Sequence, residues 1–301
     1  MANFDDVFKT QPNEKPPEDP QKKRLSPDEW AALRKRERED AYAQADHTLD
    51  DISTDGEKFR QFLDVQSRFE RYSPTNALLI FANRPDATQL RHKNAWKEKG
   101  IHVREGEKAM PILEPGNSYE KADNSTGVYY NVKWVYDISQ TDATPEQQPA
   151  VHRDPRQLLT ALISKRPVPI ELVSEQPGGA MFDPDKQTIF VQKGMEADDI
   201  FRSVSMALAH AELEMIESGY SKESADFKAY CASYMLCKQY GIDTKGYAFT
   251  KLPDEFTKAD TKTRRMDLGE MRDALRSISG RMAKALEQDA PKQQSPRKQE
   301  R

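Results

Sequence analysis

No single period runs the length of this chain: apolar residues recur at helical spacing in some stretches, alternate as strands do in others, and the two kinds of stretch follow one another without any internal repeat. That patchwork specifies an α+β protein. Ser26-Pro27-Asp28-Glu29 puts Pro at N1 and Glu at N3 of a capping box, so a first helix starts at Ser26 and runs to about Asp46. Phe59, Phe62, Leu63, Val65, Gln66 and Phe69 give a second helix, 57–69, its apolar face. Tyr72-Ser73-Pro74-Thr75-Asn76 breaks the pattern before a short helix over 77–82, for which Asn76 makes a good N-cap. Another short helix, 94–100, is closed by Gly100. Strands are expected at 110–113 and 129–136, with a turn-rich, mobile loop over 114–127 between them. Further on come a helix at 155–164, a strand at 170–173 and a hairpin of 180–183 with 188–191. Two long helices follow, 198–218 and 225–240, the second ending at Gly241. Leu268, Met271, Leu275, Ile278 and Met282 mark an amphipathic helix that could bind a partner, self-associate or pack back on the chain.

Composition limits how much of the chain can be core. Hydrophobic residues make up 36% and charged residues 32% of its 301 residues, with a mean hydropathy of −0.89. Such a polar balance predicts disordered ends around a smaller core. The expected division is a disordered leader over 1–25, a mixed N-terminal domain with its helical lead-in over 26–142, and a linker over 143–154. A helix-rich domain with a small β-hairpin over 155–253 and a polar tail over 254–301 complete it, the tail holding its amphipathic helix at about 264–287. A net charge of −4 excludes a chain that is basic overall but leaves room for a local basic patch. No apolar run reaches the roughly 18 residues of a membrane span, and the start, Met1-Ala2-Asn3-Phe4-Asp5-Asp6, lacks the regions of a signal peptide. Cys231 and Cys237 point to different faces of one helix and do not pair. The expectation is a cytoplasmic protein with no membrane partner.

The helix over 198–218 contains Met206-Ala207-Leu208-Ala209-His210-Ala211-Glu212-Leu213. In a zinc peptidase, two histidines four apart on one helix face hold the metal, and a glutamate between them polarises its water. Of these only His210 is present, and a lone helix histidine is by itself ordinary. The segments around it, including Tyr240-Gly241-Ile242-Asp243-Thr244-Lys245-Gly246-Tyr247-Ala248-Phe249, make this half similar to the peptidase-like half of ArdC-related proteins, which belong with the ImmA/IrrE-type metallopeptidases. The resemblance implies that Met206 stands at the first ligand position, Ala207 at the general base and His210 at the second ligand. Tyr230, within Ala229-Tyr230-Cys231-Ala232-Ser233-Tyr234, stands at the third. Two of three ligands and the base depart from the family pattern, so the expectation is a degenerate zincin-like fold with no catalytic residue, no metal and no cofactor.

The N-terminal half carries three further blocks: Tyr72-Ser73-Pro74-Thr75-Asn76-Ala77-Leu78-Leu79, then Asn94 to Lys108 with its Gly106-Glu107-Lys108 turn, then Val135-Tyr136-Asp137-Ile138-Ser139-Gln140-Thr141. In this order they resemble the single-stranded-DNA-binding domain of ArdC-like antirestriction proteins. Single-strand binding needs a positive groove and aromatic platforms. Between Arg84 and Lys108, seven Lys or Arg stand against four acids. Lys93, Lys97, Lys99, Arg104 and Lys108 are the candidates for phosphates, with Arg91 and Asn76 beside them, and Tyr72 and Trp96 would stack bases or support the groove. Tyr129, Tyr130 and Trp134 are further aromatic surfaces. The bland alternatives are that Trp96 and Trp134 are core, the lysines a solvated face, and Gly106-Glu107-Lys108 a tight turn. The function these readings support is a non-catalytic accessory protein of antirestriction or conjugation type on a mobile element, with single-stranded DNA as partner. The alternatives are a pseudo-peptidase that grips a protein through its vestigial cleft or the 264–287 helix, and an active zinc peptidase.

Overall fold

In a computed structural model of the chain, residues 25–120, 125–143, 154–216 and 219–289 are described. The expected leader, linker and final tail residues lie outside these ranges except at their borders. Helix α1 (Pro27–Thr54) opens on the expected capping box: Glu29 N donates to Ser26 Oγ at 3.2 Å, and Ser26 N donates to the Glu29 carboxylate at 2.7 Å. It runs on to Thr54 instead of ending near Asp46, because Ala45, Thr48, Leu49 and Ile52 keep one face buried. Asp55 then stops it by capping α2 (Gly56–Arg68). Helix α3 (Pro74–Asn83) starts from Ser73, whose side chain accepts from Asn76 N, with Pro74 at N1. The expectation that Asn76 is the N-cap is therefore corrected: it sits inside the first turn, where its side chain is free to reach elsewhere.

It reaches the first sheet. Strands β1 (Leu90–His92), β2 (Met110–Glu120) and β3 (Thr126–Asp137) form an antiparallel sheet in the order β1-β3-β2, with α4 (Lys93–Lys97) following β1. The sequence pattern missed β1, a strand of three residues. The expected mobile loop over 114–127 is, in its described part, a continuation of the β2–β3 ladder past a bulge between Pro115 and Ser118. Strand β2 lies at the sheet edge, where unpaired backbone groups invite foreign pairing. Asn76 closes that edge: its Nδ2 donates to Leu113 O at 2.9 Å, and Leu113 N donates to its Oδ1 at 2.7 Å.

The second half begins with α5 (Pro155–Leu162). Strands β4 (Ile170–Val173), β5 (Ala180–Asp183) and β6 (Thr188–Gln192) then form a sheet in the order β4-β6-β5, with β4 parallel to β6 and β5 antiparallel. Helix α6 (Ala197–Ile216) lies against β5, and α7 (Lys222–Tyr240) ends as expected at Gly241, which is left-handed at φ 72°. After the single turn α8 (Asp254–Thr257), the long helix α9 (Thr261–Asp289) closes the fold.

Helix α9 extends two or three residues past each end of the expected 264–287, and its apolar stripe is not open. Leu268, Met271, Leu275, Ile278 and Met282 are each at most 1% exposed, packed into one core with residues of α1, α2, α3, α5, α6 and α7. Of the alternatives open for 264–287, packing back on the chain is the one seen: the chain covers that apolar face itself. Ion pairs fix the helix at both ends. Arg264 meets Asp50 at 2.6 Å and Arg265 meets Asp46, both on α1, while Arg281 meets the buried Glu212 of α6 at 2.6 Å. Among the described residues no helix is long and apolar enough to cross a membrane.

Two stability measurements follow from this packing. Asn76→Ala strands both backbone groups of Leu113, each costing about 1–3 kcal/mol when buried without a partner, so urea unfolding should show a loss of about 2–4 kcal/mol. Leu275→Ala should cost about 2–5 kcal/mol by leaving a cavity in the shared core, with circular dichroism still showing a helical protein.

Candidate nucleic-acid interface

The blocks that stand out in the N-terminal sequence turn out to be latches of the first sheet. The Asp137 carboxylate is buried and accepts from Thr88 N at 2.8 Å, Gln89 N at 2.8 Å and Ser139 N at 2.9 Å. These donors hold its pKa below the ordinary carboxylate value, although burial alone would raise it. Buried Gln140 donates to Lys108 O at 2.8 Å and to the Glu107 carboxylate at 3.0 Å, and accepts from Asp137 N at 2.9 Å. The Gly106-Glu107-Lys108 turn, with Gly106 left-handed at φ 83°, is thereby stitched to the Gln140-Thr141 segment. Arg104 belongs to the same knot: its guanidinium donates to Thr141 O at 2.8 Å, to Ser139 O and to Glu107. With its donors spent on carbonyls, Arg104 is a sheet-closing residue before it is a phosphate ligand.

Trp96 is 1% exposed, its indole Nε1 donating to Tyr136 O at 3.0 Å, so it offers no face to a base. Arg91 lies over its ring at 5.5 Å. Tyr72 is half-buried, edge-on to Phe69, with its phenol pKa raised by burial. Trp134, which period-2 alternation alone could not assign to core or surface, is 47% exposed. It pairs with Pro111 across β2, and its carbonyl contacts His92 Nδ1 at 3.2 Å. Lys93, Lys97, Lys99 and Lys108 are all exposed and make no ion pair with any described residue. The structure thus retains the lysines as free cations around the sheet and exchanges Trp96 for Trp134 as the accessible ring. The signal that could have separated the two tryptophans is the helix α4 itself: its only buried residue is Trp96, which a five-residue helix must use as its anchor.

In the second half, Met206 and Tyr230 face a common cleft of about 870 Å³, along with Met195, Ser203, Arg202 and Glu175. His210 lies one turn further along α6, 5% exposed, between two partners. Its Nε2 is 3.0 Å from the Asp226 carboxylate and its Nδ1 3.0 Å from the Tyr220 hydroxyl. A carboxylate only accepts, so Nε2 carries the proton and Nδ1 accepts from the phenol. No lone pair is left for a metal. The Tyr230 hydroxyl accepts from Ala248 N at 2.6 Å, and burial raises its pKa. A thioether, a protonated phenol and a doubly bonded imidazole do not fit a catalytic zinc, which takes three ionised or imidazole ligands. Ala207, at the position of the base, is buried in the core. Beneath the cleft, Ser205, Ser233, Tyr247 and Cys237 form a hydroxyl-thiol chain, with burial pushing Cys237 up to about 11.

Residues 41–153 match the family described as the N-terminal domain of anti-restriction factor ArdC. An uncharacterized protein of Bacillus anthracis is 26% identical over 261 residues, covering 66% of this chain and 44% of that protein, so the chain spans less than half of this relative's length. Among solved structures, the metal-free crystal structure of the antirestriction ArdC protein from the R388 plasmid is similar with a TM-score of 0.50 at 18% identity, covering 71% of this chain and 86% of that one. Its Mn(II)-bound form gives a TM-score of 0.49 at 18% identity, covering 71% and 84%.

The buried imidazole makes a pH prediction. Burial drives the pKa of His210 below its ordinary 6.5, outweighing the opposing pull of Asp226. The unfolded chain therefore binds a proton that the folded chain does not, so this contribution to stability is complete above pH 6.5 and is lost as pH falls below it. His210→Gln should flatten the stability profile below that pH, as read by denaturant midpoints across a buffer series.

Proposed function

From the ArdC-like N-terminal domain that the chain carries over residues 41–153, we propose that it is a DNA-associated accessory protein of the antirestriction kind, which binds single-stranded DNA of a mobile element and performs no catalysis. The observation that carries this reading is the set of exposed, ion-pair-free lysines, Lys93, Lys97, Lys99 and Lys108, around a sheet with an exposed Trp134. Lysines on flexible stems neutralise phosphates without reading sequence, and an indole face accepts any base. Binding of this type is sequence-tolerant and weakens with salt. The non-catalytic part of the proposal draws on the donor chemistry at Met206, His210 and Tyr230, which offers no group to activate water. Its place of action would be the cytoplasm, where transferred DNA is exposed to restriction.

A second reading has its own observation: the cleft of about 870 Å³ is kept although its ligand positions are filled by Met206 and Tyr230. On that reading the second half grips a protein segment, and the DNA surface is incidental.

Titration of labelled single-stranded and double-stranded oligonucleotides at low and moderate salt distinguishes the two. The DNA reading expects tighter single-strand binding, weakening with salt. Reversing Lys93, Lys97 and Lys99 to Glu removes three phosphate contacts, so the slope of log affinity against log salt should fall by about 2. Equal affinity for both forms, or no binding at low salt, sinks the DNA reading and leaves the cleft as the site to pursue.

A further inference from the structure

The first half of α1 has no use in the fold. Its buried residues begin at Ala41, and none between Pro27 and Asp40 is buried, so roughly 21 Å of helix overhangs the body at 1.5 Å per residue. A helix of that length is marginal alone in water; this one is held by its capping box and by continuity with the anchored half. Its overhanging part is basic and aromatic on one row. Trp30, Arg34, Arg38 and Tyr42 follow one another at four-residue spacing, the spacing of neighbours on a helix surface. Trp30 is 49% exposed. Lys35 and Arg36 lean on Glu39 and Asp40, but Arg34 and Arg38 make no ion pair with any described residue.

Helix α1 packs on both strands of the β2–β3 hairpin, and Tyr42, at the anchored end of the row, is close enough to feel the charges of Tyr130, Arg265 and Arg38. Strand alternation puts Val128, Tyr130 and Trp134 on one face of β3 and Tyr129 on the other, where it lies 4.3 Å from the ring of Tyr119. Tyr130 is 41% exposed and Val128 42%, an unusual display of apolar surface for a strand packed beside a helix. Cations of the helix and exposed rings of both elements thus flank the line along which α1 packs on the hairpin.

We propose that along this line runs a groove that forms a second segment of the single-strand path, in which Arg34 and Arg38 hold phosphates while Tyr130 and Trp30 stack bases. The occupant is nucleic acid, not a protein helix. Two guanidiniums without an ion pair among the described residues, on a helix that packs against a strand with exposed rings, match a polyanion carrying flat bases, whereas an apolar partner would have to bury those charges. The inference rests on the single-strand reading above and extends it. The path would run from the α4 lysines along the sheet to the overhang of α1, longer than the lysine cluster alone provides.

The test uses the full chain and fluorescent oligothymidine of two lengths, one short enough for the lysine site only. Arg34→Ala with Arg38→Ala should lower the salt slope for the longer strand by about 1.4, at about 0.7 per phosphate on single strands. Tyr130→Ala should weaken the longer strand about five-fold or more. Tyr130→Phe keeps the ring and should bind as the parent does, and Tyr129→Ala, on the other face, should have no effect. Binding of the short strand should be unchanged throughout. If the arginine pair and Tyr130→Ala bind the longer strand like the parent while the lysine reversal abolishes binding, the groove is not part of the path and the lysine site stands alone. Equal losses from Tyr129→Ala and Tyr130→Ala overturn the groove in favour of the hairpin as a whole. If the parent binds neither strand, both readings fall together.

Discussion

The burial of one face of α9 is the constraint on which the rest of the structure depends. Five side chains of that face enter a core to which both halves of the chain contribute. At about 1.5–3 kcal/mol for each large apolar side chain buried, they contribute roughly 8–15 kcal/mol at most. That is comparable with the whole net stability of an ordinary domain. The helix does not simply cover an independent second domain. Arg264 and Arg265 reach back to α1, Ser279 donates to Glu70 just past α2, and Arg281 reaches Glu212 on α6. Geometry at the first sheet and at the cleft is therefore held by one body of packed helices.

The residues most visible in the N-terminal sequence are those that build the sheet, and this separates recognisability from binding. Asn76 replaces a missing neighbour strand for Leu113, Asp137 gathers three backbone donors, and Gln140 ties the turn at Lys108 to the end of β3. Such jobs fix both the residue type and its spacing, because the amide or carboxylate must reach particular backbone atoms. A lysine that meets a phosphate has no such requirement: any cation at about the right place on the surface serves. A sequence block can therefore identify the domain while saying little about which side chains touch DNA.

That asymmetry also sets what could be read from the sequence. Helix boundaries were legible at the caps of Ser26 and Gly241, and the α+β class followed from the periodicities, whereas α4 ends at Lys97, short of the expected Gly100. The far end of α1 was not legible, since no breaker precedes Asp55 and only tertiary burial of Leu49 and Ile52 extends the helix. The hairpin was missed between Glu114 and Thr126 because turn-forming Pro115, Gly116 and Asn117 sit in a bulge, which keeps the ladder running across them. Trp96 and Trp134 carry the same chemistry in the sequence. Which one is covered depends on α4 folding back over β3, and the local hint is only that so short a helix has Trp96 as its one buried anchor.

Met206 and Tyr230 line the cleft of the second half, where a thioether and a phenol disturb few packing contacts. Other positions of α7 have no such freedom. Tyr234 donates to Asp64 at 2.7 Å and accepts from Arg60, and Gln239 donates to Ser67 O at 2.7 Å and to Glu70 at 2.9 Å. These bonds hold α2, and through it the α3 turn that places Asn76 against β2. Helix α7 is thus a structural support for the N-terminal sheet. Whatever the cleft holds, α6, α7 and α9 must be in place for the N-terminal sheet to keep its form.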